Sequence, residues 1–198
     1  GNTVTEFSKS LKIGKNGIDN ITLFDTTDFS VKIAAEVKLN LTDFFSSKEL
    51  NKIDRFTALA IIAADQAVEE SGICTASNLE RVGVIIGSGI GGINTFEQQH
   101  SRLLVSPRRV SPFFIPAMIS DIAPGHVSIK YGFKGPNYSL VSACATATHA
   151  IGDAFRMIKY GDAEAIITGG SEASISPMSI AGFSNMKALT KNPDINTA

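Results

Sequence analysis

Among the reactive side chains of this sequence, Cys144 has the most telling surroundings. It sits in Ser142-Ala143-Cys144-Ala145-Thr146-Ala147-Thr148-His149, where a buried strand should turn into a helix. Backbone N–H groups at a helix start, and the positive end of its dipole, favour a thiolate, and the same N–H groups can stabilise an oxyanion on a thioester that the sulfur attacks. The flanking alanines leave room for a substrate to reach it. Such a nucleophile needs a base, and spacing offers none. His149 lies five positions on, turned away from the sulfur on a helix, while His100 and His126 belong to other segments. From the residues alone, Cys144 stands between a nucleophile and a small buried side chain, the commonest fate of a free cysteine. Cys74, in the polar turn Gly72 to Asn78, reads as an incidental surface thiol. The histidines keep no metal-ligand spacing with one another or with either cysteine, so no metal site is expected.

The second chemical candidate is Gly87-Ser88-Gly89-Ile90-Gly91-Gly92, which fits G-x-G-x-x-G after a strand and before a helix. In a dinucleotide fold an acid should follow about 20 residues on to hold the ribose. That place is taken by Ser106-Pro107-Arg108-Arg109, with no acid. The alternative is a tight turn and close backbone packing beside another element.

Both motifs depend on the elements that carry them. Thr3-Val4-Thr5-Glu6 predicts a capping box opening a short helix that Gly14 and Gly17 end. A strand is expected around Val31 to Val37. A long helix should start at Ser46 or Ser47 and close at Ser71-Gly72, with Ile53, Phe56, Ala60, Ala64, Ala67 and Val68 on its buried face. Arg81 to Ile86 reads as a strand, Asn94 to Leu104 as a helix, and the proline-rich stretch Ser106 to Pro116 as irregular. Met118 to Tyr131 can be helical with a kink or break at Pro124. Tyr138 to Ser142 reads as a second strand, Ala143 to Tyr160 as a helix closed by Gly161, and Ala165 to Thr168 as a third strand. This alternation predicts an α/β domain with a mainly parallel sheet.

Composition narrows the function. The 198 residues carry 18 Lys+Arg against 19 Asp+Glu, a net charge of −1, which leaves no basic excess for a nucleic-acid backbone. With 43% hydrophobic and 19% charged residues the chain is rich enough to bury a core. Every apolar run is interrupted before it could span a bilayer, and two distant cysteines make no disulfide framework. A soluble protein of the reducing cytoplasm is expected, or of an organelle if it serves a plastid or mitochondrial pathway.

Seven segments carry a further expectation: Gly87 to Gly92, Val110 to Phe114, Gly135-Pro136-Asn137, Ser142 to Gly152, Tyr160-Gly161-Asp162-Ala163, Gly169-Gly170-Ser171-Glu172, and Gly182-Phe183. Together and in this order they resemble the N-terminal half of beta-ketoacyl-acyl carrier protein synthases of the elongating, second type. The resemblance implies a thiolase-like α/β fold of two similar halves, each a five-stranded, mainly parallel sheet with helices on both faces, working as a homodimer. Residues 1–198 would be the first half, a single domain whose first strand is missing. The two catalytic histidines, a structural lysine and the other oxyanion donor would lie in the second half, so that the isolated half should not turn over.

The same resemblance makes Cys144 the nucleophile and a backbone oxyanion donor in fatty-acid elongation. The reaction is a decarboxylative Claisen condensation of an acyl-enzyme thioester with a malonyl unit on acyl carrier protein. No cofactor is implied, because the phosphopantetheine arm arrives on the carrier. Ile90, Phe114 and Phe183 match the acyl pocket, with Met118 nearby; Phe113 and Phe114 could equally be dimer-core residues, and the dimer is expected around residues 106–145. Lys48, Lys52, Arg108, Arg109 and Lys187 stand where the family receives its acidic carrier protein. Alternatives are a starter or polyketide ketosynthase, a thiolase, a noncatalytic chain-length factor, which the retained Cys144 disfavours, and a nucleotide-dependent oxidoreductase.

Overall fold

The computed structural model describes residues 1–198, apart from the side chain of Ala76. In chain order the elements are α1 (Val4–Lys12), β1 (Asp19–Asn20), β2 (Ile33–Ala34), α2 (Ser47–Leu50), α3 (Arg55–Ser71), α4 (Ile73–Ala76), β3 (Val82–Gly87) and α5 (Ile93–Val105). There follow α6 (Phe114–Met118), α7 (Ile122–Tyr131), β4 (Asn137–Tyr138), α8 (Thr146–Tyr160), β5 (Ala165–Gly170) and α9 (Pro177–Asn185). No described helix is long and apolar enough to cross a membrane.

Where the sequence reads as one domain, the contacts group into two compact units, residues 1–40 with 174–198 and residues 41–173. In the first, β1 and β2 pair antiparallel, and Ile21, Val31 and Ile180 are buried against Phe24, Phe29 and Leu189. The expected strand Val31 to Val37 shrinks to two paired residues. At α1 the Thr3 hydroxyl accepts the Glu6 N–H at 3.2 Å, as predicted. The Glu6 carboxylate, however, reaches past Thr3 to the Asn2 N–H at 2.8 Å, so the capping box is not closed.

The second unit is built on a parallel sheet in the order β4-β3-β5. In place of the five strands implied by the resemblance, the parallel sheet among the described residues has three, and β1 and β2 form a separate antiparallel pair. Every residue of the central β3 is buried, as its uninterrupted apolar run requires. Alternation sends Val82, Val84 and Ile86 to the face covered by α3 and α7, where they meet Phe56, Ala60, Ala64, Val68, Ala123 and Val127. Ile85 points the other way, onto Ala150 and Ala154 of α8.

Three boundaries depart from expectation for identifiable reasons. Ser46 does start a helix, with a complete capping box to Glu49, but it lasts four residues. The long helix begins anew behind Asp54, whose buried carboxylate accepts the Phe56 N–H at 3.2 Å and the Thr95 N–H and hydroxyl at 2.7 and 2.8 Å. Pro124 neither kinks nor breaks α7; it occupies the first turn, where its missing N–H costs nothing, and the break falls before Ile122. β4 stops after Tyr138 because the next N–H groups leave the sheet, that of Ser139 for the Asp121 carboxylate at 3.0 Å and that of Ser142 for the Thr146 hydroxyl at 2.8 Å.

Candidate active site

Two strand-to-helix turns meet at the C-terminal end of the sheet. The first is the glycine turn 87–92, closed by the Ser88 hydroxyl accepting the Gly91 N–H at 3.0 Å. A Cβ on Gly87 would fall 2.3 Å from Thr146 Cγ2 and 2.9 Å from the Leu140 carbonyl oxygen. On Gly92 it would fall 2.5 Å from the Ala117 carbonyl oxygen and 2.7 Å from Met118 Cα. These glycines are therefore filled over by protein, the close-packing alternative, and the space a pyrophosphate would need is occupied.

The second turn, after β4, carries Cys144. A single 3-10 turn, Ala143–Ala145, runs directly into α8, and Cys144 is exposed on it. Ala143 adopts φ 50°, a left-handed conformation that costs a residue with a side chain roughly 1 kcal/mol or more. Its neighbour Ser142 is tied twice to α8: the Ser142 N–H donates to Thr146 Oγ1 at 2.8 Å, and the Ser142 hydroxyl is hydrogen-bonded to His149 Nδ1 at 2.6 Å. Ser142 makes no side-chain cap of its own to the turn. The thiol thus projects from a constrained corner at the start of a 15-residue helix, where the Ala145 N–H donates to the Ser142 carbonyl at 3.1 Å and the Thr146 N–H to the Ala143 carbonyl.

The three histidines have separate surroundings. His149 is engaged with Ser142, and His100 stacks on Phe96 with ring centroids 6.2 Å apart. His126 is half-buried, and burial lowers its pKa from the usual imidazole value.

Ile90 and Met118 come to the same corner. The Ile90 N–H donates to Glu172 Oε2 at 3.1 Å, and Ile90 itself is 45% exposed. Gly89 lies against Glu172 and Ala143, and Gly91 and Gly92 lie against Met118, so Ile90 is bracketed by the Cys144 turn and α6. Phe114 is one turn earlier on α6 and faces a different space, a cavity of about 640 Å³ that it lines with Phe113, Leu50, Ile53, Arg55 and Arg102. Cys144 does not line that cavity.

Of the basic residues, Lys52 lies 5.1 Å above the Phe113 ring, Lys48 is exposed on α2, and Arg108 and Arg109 are exposed on the turn Pro107–Arg109. These four belong to one unit. Phe183, on α9, and Lys187, just beyond it at φ 59°, belong to the other.

Sequence reasoning gave no role to Glu172, Ser142 or Thr146. The only signal for the last two was their spacing of four residues across a helix start, which is too common to single them out.

Comparison with known proteins agrees with this arrangement. A 3-oxoacyl-[acyl-carrier-protein] synthase 2 of Staphylococcus aureus is 52% identical over 202 residues, covering 100% of this chain and 50% of that protein. One of the same name from Vibrio harveyi is 46% identical over 197 residues, 98% of this chain and 48% of that protein. This chain therefore spans about half the length of the curated relatives it matches. A crystal structure of a beta-ketoacyl synthase from Burkholderia phymatum superposes with a TM-score of 0.82 at 24% identity, over 97% of this chain and 48% of that one, which extends the likeness to the thiolase-like fold. The model of the beta-ketoacyl synthase N-terminal domain matches residues 1–198 in full, and with the cysteine corner and glycine turn set on one sheet end, the chain belongs to the beta-ketoacyl synthase family.

Proposed function

We propose that residues 1–198 supply the nucleophile half of an elongating condensing enzyme, with Cys144 as the acyl acceptor. The observation that carries this reading is the exposed thiol on the strained corner ahead of α8. The Cys144 thiolate attacks the carbonyl of an acyl thioester, and the carrier's thiolate leaves. The backbone N–H of Cys144 faces the developing oxyanion and stabilises it. A malonyl thioester then loses carbon dioxide, its carbanion forms the new carbon–carbon bond to the acyl carbon, and Cys144 is released as thiolate. The product is longer by two carbons. His149 is hydrogen-bonded to Ser142, and the family resemblance implies that the histidines assisting decarboxylation lie in the second half of such enzymes. The isolated 198 residues accordingly do not condense acyl and malonyl units.

The names of the Staphylococcus and Vibrio relatives point to acyl carrier protein as the partner, and the family resemblance implies that its phosphopantetheine arm brings the acyl group without a further cofactor. Lys48, Lys52, Arg108 and Arg109 are exposed and present positive charge to such an acidic partner, and Lys187, exposed in the other unit, is a candidate for the same role by the family resemblance. Ile90 and Met118 flank the acyl chain next to Cys144, while Phe114, on a separate cavity, and Phe183, in the other unit, are pocket candidates by the family resemblance alone. Exposed Leu104, Val105, Ile115 and Ile119 support a homodimer through residues 106–145 and their surroundings. The working compartment is the cytoplasm.

The test is selective modification. In the full-length protein, cerulenin should label Cys144 and spare Cys74, although both thiols are exposed. Labelling at Cys74 alone would refute the assignment.

A further inference from the structure

The cysteine corner reverses the usual arrangement at a helix start. A serine in the position of Ser142 normally turns its hydroxyl onto the backbone N–H two or three residues ahead, which here are those of Cys144 and Ala145. Ser142 makes no such cap. Its hydroxyl is drawn instead to His149 Nδ1, 2.6 Å away and seven residues, about two helical turns, further along the chain. Its own N–H is taken by Thr146, whose side chain is buried at 4% exposure and wedged against Gly87. Ser142 is thus clamped by α8 at its N–H and its hydroxyl.

We propose that His149 is a positioning residue that keeps the Ser142 hydroxyl off the Cys144 N–H, so that this donor stays available to an oxyanion on the acyl group. The inference rests on the acyl-acceptor reading of Cys144. Without His149 the hydroxyl is left beside an uncapped helix start and rotates onto the nearest free N–H. An internal acceptor then competes with the oxyanion for the same donor. Loss of one oxyanion donor altogether is worth about 10²- to 10³-fold, so partial competition should cost about tenfold.

The experiment uses the full-length protein and two reactions of the same sulfur. Acylation by a small thioester builds an oxyanion, whereas alkylation by iodoacetamide does not. His149→Ala should slow acylation of Cys144 about tenfold and leave its alkylation, referenced to Cys74, within about twofold. His149→Asn places an amide where Nδ1 stands and should restore acylation. In a Ser142→Ala background the competing hydroxyl is gone, so adding His149→Ala should change acylation by less than about twofold. Equal slowing of both reactions, or an undiminished effect of His149→Ala in the Ser142→Ala background, overturns the proposal and leaves His149 a structural tie. Should His149→Ala fail to fold, His149→Phe, which keeps a ring but has no acceptor at the Nδ1 position, takes its place in both backgrounds with the same expected outcomes. Failure of the unsubstituted protein to acylate at Cys144 would instead overturn the acyl-acceptor reading itself.

Discussion

The two turns at the sheet end solve one geometric problem in opposite ways. After β3 the chain uses glycines, because other backbone passes within 3 Å of where a Cβ would stand. After β4 it uses Ala143, an alanine held at φ 50° where a glycine would be relaxed. In the first turn the missing side chains admit a neighbour. In the second, Cβ restricts the backbone and the hydrogen bonds of Ser142 hold it in an otherwise unfavourable state. A turn that only has to be approached can be bare, whereas a turn that must aim a thiol benefits from stiffness.

The contrast yields graded outcomes. The largest is for Gly92→Ala, whose Cβ would strike the Ala117 and Met118 backbone, atoms with nowhere to go. A loss of about 3 kcal/mol is expected by chemical denaturation of the full-length protein. Gly87→Ala meets a methyl group of Thr146, which can shift, as well as the Leu140 carbonyl. About 2 kcal/mol should be lost, accompanied by slower Cys144 acylation, since Thr146 anchors Ser142. If both variants were tolerated, the close-packing account of the glycine turn would fail.

Ala143→Gly works in the other direction. Relief of the left-handed strain outweighs the extra freedom of the unfolded chain by about 1 kcal/mol, so thermal stability should rise while Cys144 acylation falls as the corner loosens. A rise in both would separate strain from aim and break the comparison. The smallest effect belongs to Gly125→Ala. This glycine lies inside α7 with open space around its would-be Cβ, and the substitution should add about 0.5 kcal/mol in thermal unfolding without touching the thiol.

Much of this corner was legible in the chain itself. The apolar run of β3 followed by glycines marked a buried strand and a turn, and the residues around Cys144 marked a helix start, while the exposure of the thiol came only with the structure. Asp54, by contrast, looked like one more polar residue in a helical pattern. It divides α2 from α3 only because Thr95, 41 residues away, donates to it twice. The reach of β4 was likewise overread, since Asp121 and Thr146 take the N–H groups that a longer strand would have given to β3. The residues around Phe114 in sequence suggested docking on an apolar surface, whereas it lines a cavity that also carries Asp54, Arg55, Gln99 and Arg102.

What the sequence by itself determined was therefore local: the period of each element, the left-handed glycines that close α3, α7 and α8, and the placement of a cysteine at a helix start. These follow from interactions within about one helical turn or one strand pleat, which neighbouring residues encode. Only the tertiary structure decided the grouping into two units, the left-handed Ala143, and the engagement of His149 by Ser142. The φ of Ala143 and the orientation of Ser142 are settled by hydrogen bonds and steric limits that arise when α8 is set down on the ends of β3 and β5, with Thr146 against Gly87 and Ala147 against Gly170. Such close approach between separate segments has no period along the chain, and so no pattern in the sequence announces it.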